Sequence, residues 1–539
     1  MLAFGLGAAV RVFHVARADF PLNDGGLFYA MVRDIQAANY RLPSFTSYNQ
    51  MDIPFGYPPL GLYIAGLMDD VTPFDLLTVF RLLPLLYSLL TLVAMFLLAR
   101  QFLTSRVAVA GAVIAFGLIP RSFIWLIMGG GVTRGLGLLL AMLALREIHL
   151  LYTRVDRRYL WTAVPLSGGT ILAHLETGWF LAVSVAVLWL FLGRNRSGLA
   201  SSLLLALGTL AVISPWVITL VARHDMDPFL AALSSGSSVF SGGGTTRFLL
   251  LALARMVWTS EAFFPLIGVL GVVGAVVSIR RGSYLLPAWW AAIILLDARA
   301  FHTYSSIPVA ILAGQALAEV LIPFLLSGNH SDTAEDGTNG HGQAGRNGSG
   351  RLPESRGPRG HLGRFGLTPL PLIMGAVMLS ASVVSATSTA PGFGEVGVLT
   401  TLGPDQRAAM DWIREHTPGE ARFLVMPRGG WQTDKEAEWF PVFAGRTSVA
   451  TVQGSEWIAD RGFDTQVRAF DAAWDCGYKT VACLDQWIHE YGRPFEYLYI
   501  PAGVGVQCCS TLVESIERDS TYRLLYYGRG GSIYVRVSS

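Results

Sequence analysis

Ten ionisable residues stand where an apolar chain should have none, at the ends of long hydrophobic runs: Asp24, Asp52, Arg81, Arg134, His174, Glu176, Arg223, Asp297, Arg299 and His302. A charge at mid-bilayer costs roughly 2.5–3.5 kcal/mol on insertion scales, so such residues persist when they pair, snorkel or face water. Separate snorkelling or helix capping would account for any one of them. Acids and bases recurring on the same side suggest a shared cavity. Each type brings its own chemistry. A carboxylate such as Asp24, partly removed from water, can take a proton from a hydroxyl, an effect worth about 10²–10⁴ in rate; its bland alternative is an N-cap for a helix starting near Gly26. Arg81, Arg299 and Arg134 can hold a phosphate by bidentate hydrogen bonds. Arg81 could instead pair with Asp69, Asp70 or Asp75, and Arg299 with Asp297. His174 and Glu176 can bind a divalent cation or orient a second reactant, although a single His-x-Glu lacks the further ligands an open metal site needs. Otherwise they are a hydrogen-bonded pair at a tight turn.

The elements that must position these groups are membrane spans. Of 539 residues, 52% are hydrophobic and only 14% charged, against about 25% charged in an average soluble domain. The mean hydropathy is +0.46. Spanning a bilayer takes about 20 apolar residues. Eleven candidate runs meet or approach that: 1–16, 76–98, 107–125, 135–151, 160–175, 178–192, 199–221, 261–279, 284–296, 304–326 and 367–386. Arg clusters at 100/106, 154–158, 194/196, 280/281 and 346–364 fall on one face, which the positive-inside rule makes cytoplasmic. The N-terminus is then inside, and opens with no signal-peptide pattern. The region 389–539 is outside. Residues 1–388 carry 26 basic and 19 acidic side chains and residues 389–539 carry 14 and 19, with no basic stripe that would bind nucleic acid.

The expected division is a transmembrane bundle over 1–326 with an external loop 19–75, a disordered cytoplasmic linker 327–366, a last transmembrane helix 367–388, and an extracytoplasmic α/β domain 389–539. Loop 19–75 holds an amphipathic piece, Leu27–Ala38, of the kind that lies on a bilayer surface. The linker carries two glycosylation-type sequons at Asn329 and Asn347, which its cytoplasmic placement makes irrelevant. In the last domain the pattern predicts a helix over 406–416, buried strands over 422–426 and 497–500, and a hairpin over 522–537 turning at Gly528–Gly531. All four cysteines, Cys476, Cys483, Cys508 and Cys509, lie there; an oxidising exterior permits one or two disulfides, and buried thiols are the alternative. The glycine runs 129–131 and 242–244 lack the Lys and the strand-to-helix setting of a phosphate loop and read as flexible external loops.

The stretches Asp19-Phe-Pro-Leu-Asn-Asp24, Tyr57-Pro-Pro-Leu60 and Phe80-Arg-Leu-Leu-Pro84, in that order and on that side, resemble the integral-membrane C-type (GT-C) glycosyltransferases, which include protein O-mannosyltransferases and the lipid A aminoarabinose transferase. The resemblance covers essentially the whole chain. His174-Leu-Glu176 is similar to an acidic or metal-binding position of several members, and Asp411–Pro418 with Glu438–Arg446 look like their C-terminal domain. It implies a polytopic helical membrane protein of about 11 spans with an extracytoplasmic α/β domain, in the plasma membrane. The implied reaction is inverting transfer of a sugar from a polyprenyl-phosphate donor to an external glycan, lipid or protein, with Asp24 as base and Tyr57 in the substrate site. Many members carry two acids after the first span, whereas here the pair is Asn23-Asp24, so a second acid would come from Asp52 or Glu176. The cofactor is left open, with a divalent cation on Glu176 and His174 as the candidate. Two other classes would leave different marks. A secondary transporter would have inverted repeats and mid-span charges, and a non-catalytic scaffold would display the C-terminal domain without needing Asp24.

Overall fold

The computed structural model describes residues 1–235, 259–262, 264–296, 300–327, 369–388, 395–459, 462–502 and 508–537. Asp297, Arg299, the glycine run 242–244, both sequons and nearly all of the expected linker lie outside the described residues.

Long apolar runs with good caps give long helices. Leu2–Ala16 (α1) leads through the external loop to Leu76–Phe102 (α4), whose first turn is capped by the Asp75 carboxylate accepting from the Thr78 amide. Ser105 caps Arg106–Leu118 (α5) in the same way. Among the described residues, five helices are long and apolar enough to cross a membrane: α4, Gly131–Arg154, Leu175–Leu192, Arg196–His224 and Phe301–Phe324. Four shorter apolar helices accompany them. The run expected as one span over 107–125 is instead broken, with α5 and the segment Pro120–Ile127 bent by 84°. Pro120 has no N–H for the ladder and biases Ile119 toward extended backbone, which ends the helix there.

The external loop folds into two helices and a two-residue ladder. Gly26–Ala37 (α2) and Leu60–Val71 (α3) are joined through Phe45–Thr46 (β1) and Ile53–Pro54 (β2). The amphipathic pattern of α2 is that of a helix lying on the bilayer. Its face of Leu27, Ala30, Met31 and Ile35 is instead buried in the core of the bundle, while Tyr29 on another side meets Trp439 of the helix Lys435–Phe443.

The C-terminal sheet is built from Arg422–Val425 (β3), Thr447–Ser448 (β4), Tyr497–Pro501 (β5), Tyr522–Gly528 (β6) and Gly531–Arg536 (β7), in the order β4-β3-β5-β7-β6. Strand β3 pairs parallel to β4 and β5, and β7 runs antiparallel to β5 and β6. Alternation along the strands fills a core on each face. Phe423, Val425, Tyr499 and Ile533 face one side, and Leu424, Met426, Leu498, Ile500 and Tyr534 the other. The first core also takes Phe20 from the loop after α1, edge-on to Trp439 at 4.8 Å, so the bundle and the sheet region share a core. The second holds the disulfides Cys476–Cys483 and Cys508–Cys509.

Candidate active site

Asp24 is held by backbone from both halves of the chain. The Asn23 amide donates to the Thr400 carbonyl (2.8 Å), and the Asn23 carbonyl accepts from the Trp439 indole (2.9 Å). Gly129 N–H donates to Leu22 O at 2.9 Å. Gly25 takes φ +123°, a conformation open to glycine, and donates its N–H to the Glu438 carboxylate at 2.8 Å. This turns the Asp24 carboxylate away from α2. Gly25 is the N-cap of that helix, and Asp24 accepts instead from Gly130 N–H (2.8 Å) and from Arg134 Nη2 (2.5 Å). The plain capping role is thus not the one Asp24 fills. The glycine run is equally specific. A Cβ on Gly129 would lie 2.1 Å from the Asp24 carbonyl oxygen, so the expected flexible loop is a close-packed cradle.

Arg134 also donates Nε to the Trp125 carbonyl at 3.1 Å, with its guanidinium 5.5 Å from the Trp125 ring centre. His174 caps Leu175–Leu192: its Nδ1 accepts from Thr177 N–H at 3.3 Å and lies 3.1 Å from Thr177 Oγ1, which meets Tyr304 OH at 2.9 Å. Tyr57 packs edge-on to Phe28 and is tilted against the His174 ring at 6.3 Å. Burial pushes its hydroxyl pKa well up, so it is a neutral donor.

These groups surround one cavity of about 740 Å³ between the bundle and the C-terminal region. Of the residues singled out from the sequence, Asp24, Tyr57, Arg134, His174, Glu176 and His302 line it. Asp52 does not; it is exposed, in a left-handed backbone conformation at φ 50°. Arg81 does not either, and donates to the Ala18 carbonyl at 3.0 Å. Arg223 serves the external loop through the Leu42 and Pro43 carbonyls.

The second acid beside Asp24 comes from elsewhere. Glu438 is buried, lines the cavity, and holds Gly25 through one oxygen, while Gln453 Nε2 approaches the other at 3.4 Å. Burial, and then the charge of Asp24, push its pKa up to about 8, so it keeps a proton at neutral pH. In the sequence Glu438 belongs to the stretch Glu438–Arg446 and carries no sign of a role, since nothing along the chain says that it reaches a residue 414 positions earlier. Arg121 also lines the cavity, donating to Ser260 Oγ at 2.9 Å. Its position next to Pro120 was the available signal, hidden by reading 107–125 as one span.

Among the described residues, no group of three or more His, Cys, Asp or Glu side chains is placed to hold a metal ion. Glu176 and His174 both line the cavity, and Nδ1 of His174 is engaged by the helix it caps.

No protein-family model matches the chain, and no curated protein matches its sequence. Solved structures do. The oligosaccharyltransferase AglB of Archaeoglobus fulgidus, in complex with an inhibitory peptide and a dolichol-phosphate, superposes with a TM-score of 0.55 at 12% identity, over 93% of this chain and 69% of that one. ArnT from Cupriavidus metallidurans bound to undecaprenyl phosphate gives 0.51 at 14% identity, over 100% and 98%. The mycobacterial arabinofuranosyltransferase AftD gives 0.52 at 14%, over 100% of this chain and 40% of that one. These are GT-C glycosyltransferases. The chain has their fold, that of a mostly helical membrane protein.

Proposed function

We propose that this protein is a membrane glycosyltransferase that moves a sugar from a polyprenyl-phosphate carrier to a hydroxyl of an extracytoplasmic acceptor, with inversion at the anomeric carbon. The observation that carries this reading is the Asp24–Arg134 pair in the cavity: a carboxylate that can accept a proton beside a cation that can hold a phosphate. The fold supports it, since ArnT binds undecaprenyl phosphate and AglB dolichol-phosphate in their solved complexes.

In this reading about eleven segments cross the plasma membrane, and residues 389–539 form an extracytoplasmic domain over the cavity. The donor phosphate competes with Asp24 for Arg134, in a cavity that Arg121 also lines, and so frees Asp24 Oδ2. The acceptor oxygen attacks the anomeric carbon from the face opposite the phosphate. The new C–O bond forms as the bond to the phosphate breaks, the electron pair leaves with the polyprenyl phosphate, and the acceptor proton passes to Asp24. Glu438, protonated and hydrogen-bonded to Gly25, keeps a second negative charge away from the departing phosphate.

The test is sugar transfer in proteoliposomes from a panel of polyprenyl-phosphate sugars, with the anomeric configuration of product and donor compared by NMR. Transfer with inversion is expected. Transfer with retention would remove the single-displacement mechanism, and neither transfer nor donor binding across the panel would remove the reading altogether.

A further inference from the structure

The cavity has two chemically different walls. Among the described residues, the bundle contributes all of its basic side chains, Arg121, Arg134, His174 and His302, together with the acids Asp24 and Glu176. The wall from the C-terminal region carries Glu438, Glu456, Asp464, Gln453, Trp431 and Phe463, and among the described residues no Arg, Lys or His. Its surface therefore offers hydrogen-bond acceptors and ring faces.

Gln453 makes this concrete. It is 91% buried, and its Nε2 is fixed by donating to the Trp431 carbonyl at 2.8 Å. That fixes its Oε1, which is buried and has no hydrogen-bond partner among the described residues. A buried acceptor left unmatched costs about 1–3 kcal/mol, so the site gains by meeting a donor there. Trp431, half-buried, is held edge-on to Phe463 at 5.5 Å between ring centres. A rigid indole beside fixed acceptors suits a ligand with an apolar face and hydroxyls on its rim. An anionic ligand brings acceptors and negative charge to a wall that, beside the protonated Glu438, carries the Glu456 and Asp464 carboxylates, and like-charge juxtaposition of this kind excludes wrong partners.

We propose that the C-terminal wall, formed by Trp431, Gln453, Phe463 and Asp464, is a binding subsite for an uncharged, hydroxyl-rich carbohydrate, and that the acceptor is a neutral glycan. The proposal rests on the transferase reading for calling this ligand the acceptor, while the subsite itself is read from the wall. The wall that carries Arg121 and Arg134 is then left to the donor phosphate. The two substrates are sorted by charge within one cavity.

The experiment is direct binding to the full-length protein in nanodiscs, read by saturation-transfer NMR. The probes are neutral hexasaccharides of mannose, glucose, galactose and arabinose, an oligogalacturonate, a Ser/Thr-rich peptide, and undecaprenyl phosphate. At least one neutral hexasaccharide should bind, and more tightly than the oligogalacturonate or the peptide. Trp431→Ala and Gln453→Ala should weaken it about tenfold or more. Asp464→Asn, at an exposed position where folding is not at stake, should weaken it as well. Undecaprenyl phosphate binding should stay unchanged in all three, which also shows that they are folded. The proposal is overturned if the oligogalacturonate or the peptide binds as well as the neutral sugars, if no oligosaccharide binds, or if binding ignores both Trp431 and Asp464. Neutral-glycan binding without undecaprenyl phosphate binding would instead remove the transferase reading and leave the subsite standing.

Discussion

The Asp24–Arg134 pair allows catalysis and stability to be separated by a double-mutant cycle. The two side chains meet at 2.5 Å with relative exposures of 8% and 20%. Removing one partner of a buried pair leaves an uncompensated charge, which typically costs 3–5 kcal/mol. Arg134 lines an open cavity and keeps the Trp125 carbonyl at 3.1 Å, so Asp24→Asn should lie at the low end, near 3 kcal/mol. Arg134→Met strands Asp24 with only the Gly130 amide and should cost a similar amount, about 3 kcal/mol. The double variant Asp24→Asn/Arg134→Met removes both charges and should recover about 2–3 kcal/mol of the summed loss. Sugar transfer should behave differently. With the base gone it falls by about 10²–10⁴ in Asp24→Asn and does not return in the double variant. Stability is read by denaturant unfolding in detergent, and transfer in proteoliposomes under conditions where all variants are folded. If transfer recovers along with stability, Asp24 is a structural anchor and its assignment as base fails. If the two stability losses simply add, the ion-pair argument fails.

Two further outcomes follow from the same site. Because Glu438 keeps its proton in the folded state up to about pH 8 while the unfolded chain releases it near 4.5, the stability this group contributes is full below 4.5 and is lost as pH rises toward 8. Glu438→Gln keeps an oxygen for Gly25 N–H and should flatten the stability profile across that window; an unchanged slope would show that the proton is held elsewhere. Gly129→Ala places a Cβ 2.1 Å from the Asp24 carbonyl and 3.3 Å from Gly25 Cα, so backbone must move. About 1–3 kcal/mol of stability and at least about tenfold in transfer should be lost. Gly5→Ala, inside α1 with nothing within 4 Å of the new Cβ, is the control and should lose neither stability nor transfer.

Much of the scaffold can be read along the chain. The apolar runs became helices, and the strands expected over 422–426 and 497–500 and the hairpin turning at Gly528–Gly531 were found within a residue or two. Boundaries moved where a single side chain decided them. His174 took the N-cap, so one helix ends at Ala173 and the next starts at Leu175, and Pro120 broke a run that composition alone made continuous. Five of the eight residues named as site candidates, Asp24, Tyr57, Arg134, His174 and Glu176, share the cavity, because charge at the end of an apolar run is already a statement about what must face water.

By itself, then, the sequence determined which segments are apolar, where their ends are and which ends carry charge, since hydrophobicity and periodicity are properties of one element at a time. Tertiary structure alone decided which ends meet. It left Asp52 in solvent and tied Arg81 to a carbonyl, although both sit in the same kind of sequence setting as the cavity residues. It also brought Glu438 to Gly25 across 413 positions, through the packing of Phe20 and Trp439 into one shared core. The protonation of Glu438 is decided at the same level: its carboxyl differs from any other Glu only through the burial and the neighbouring Asp24 charge that this packing imposes.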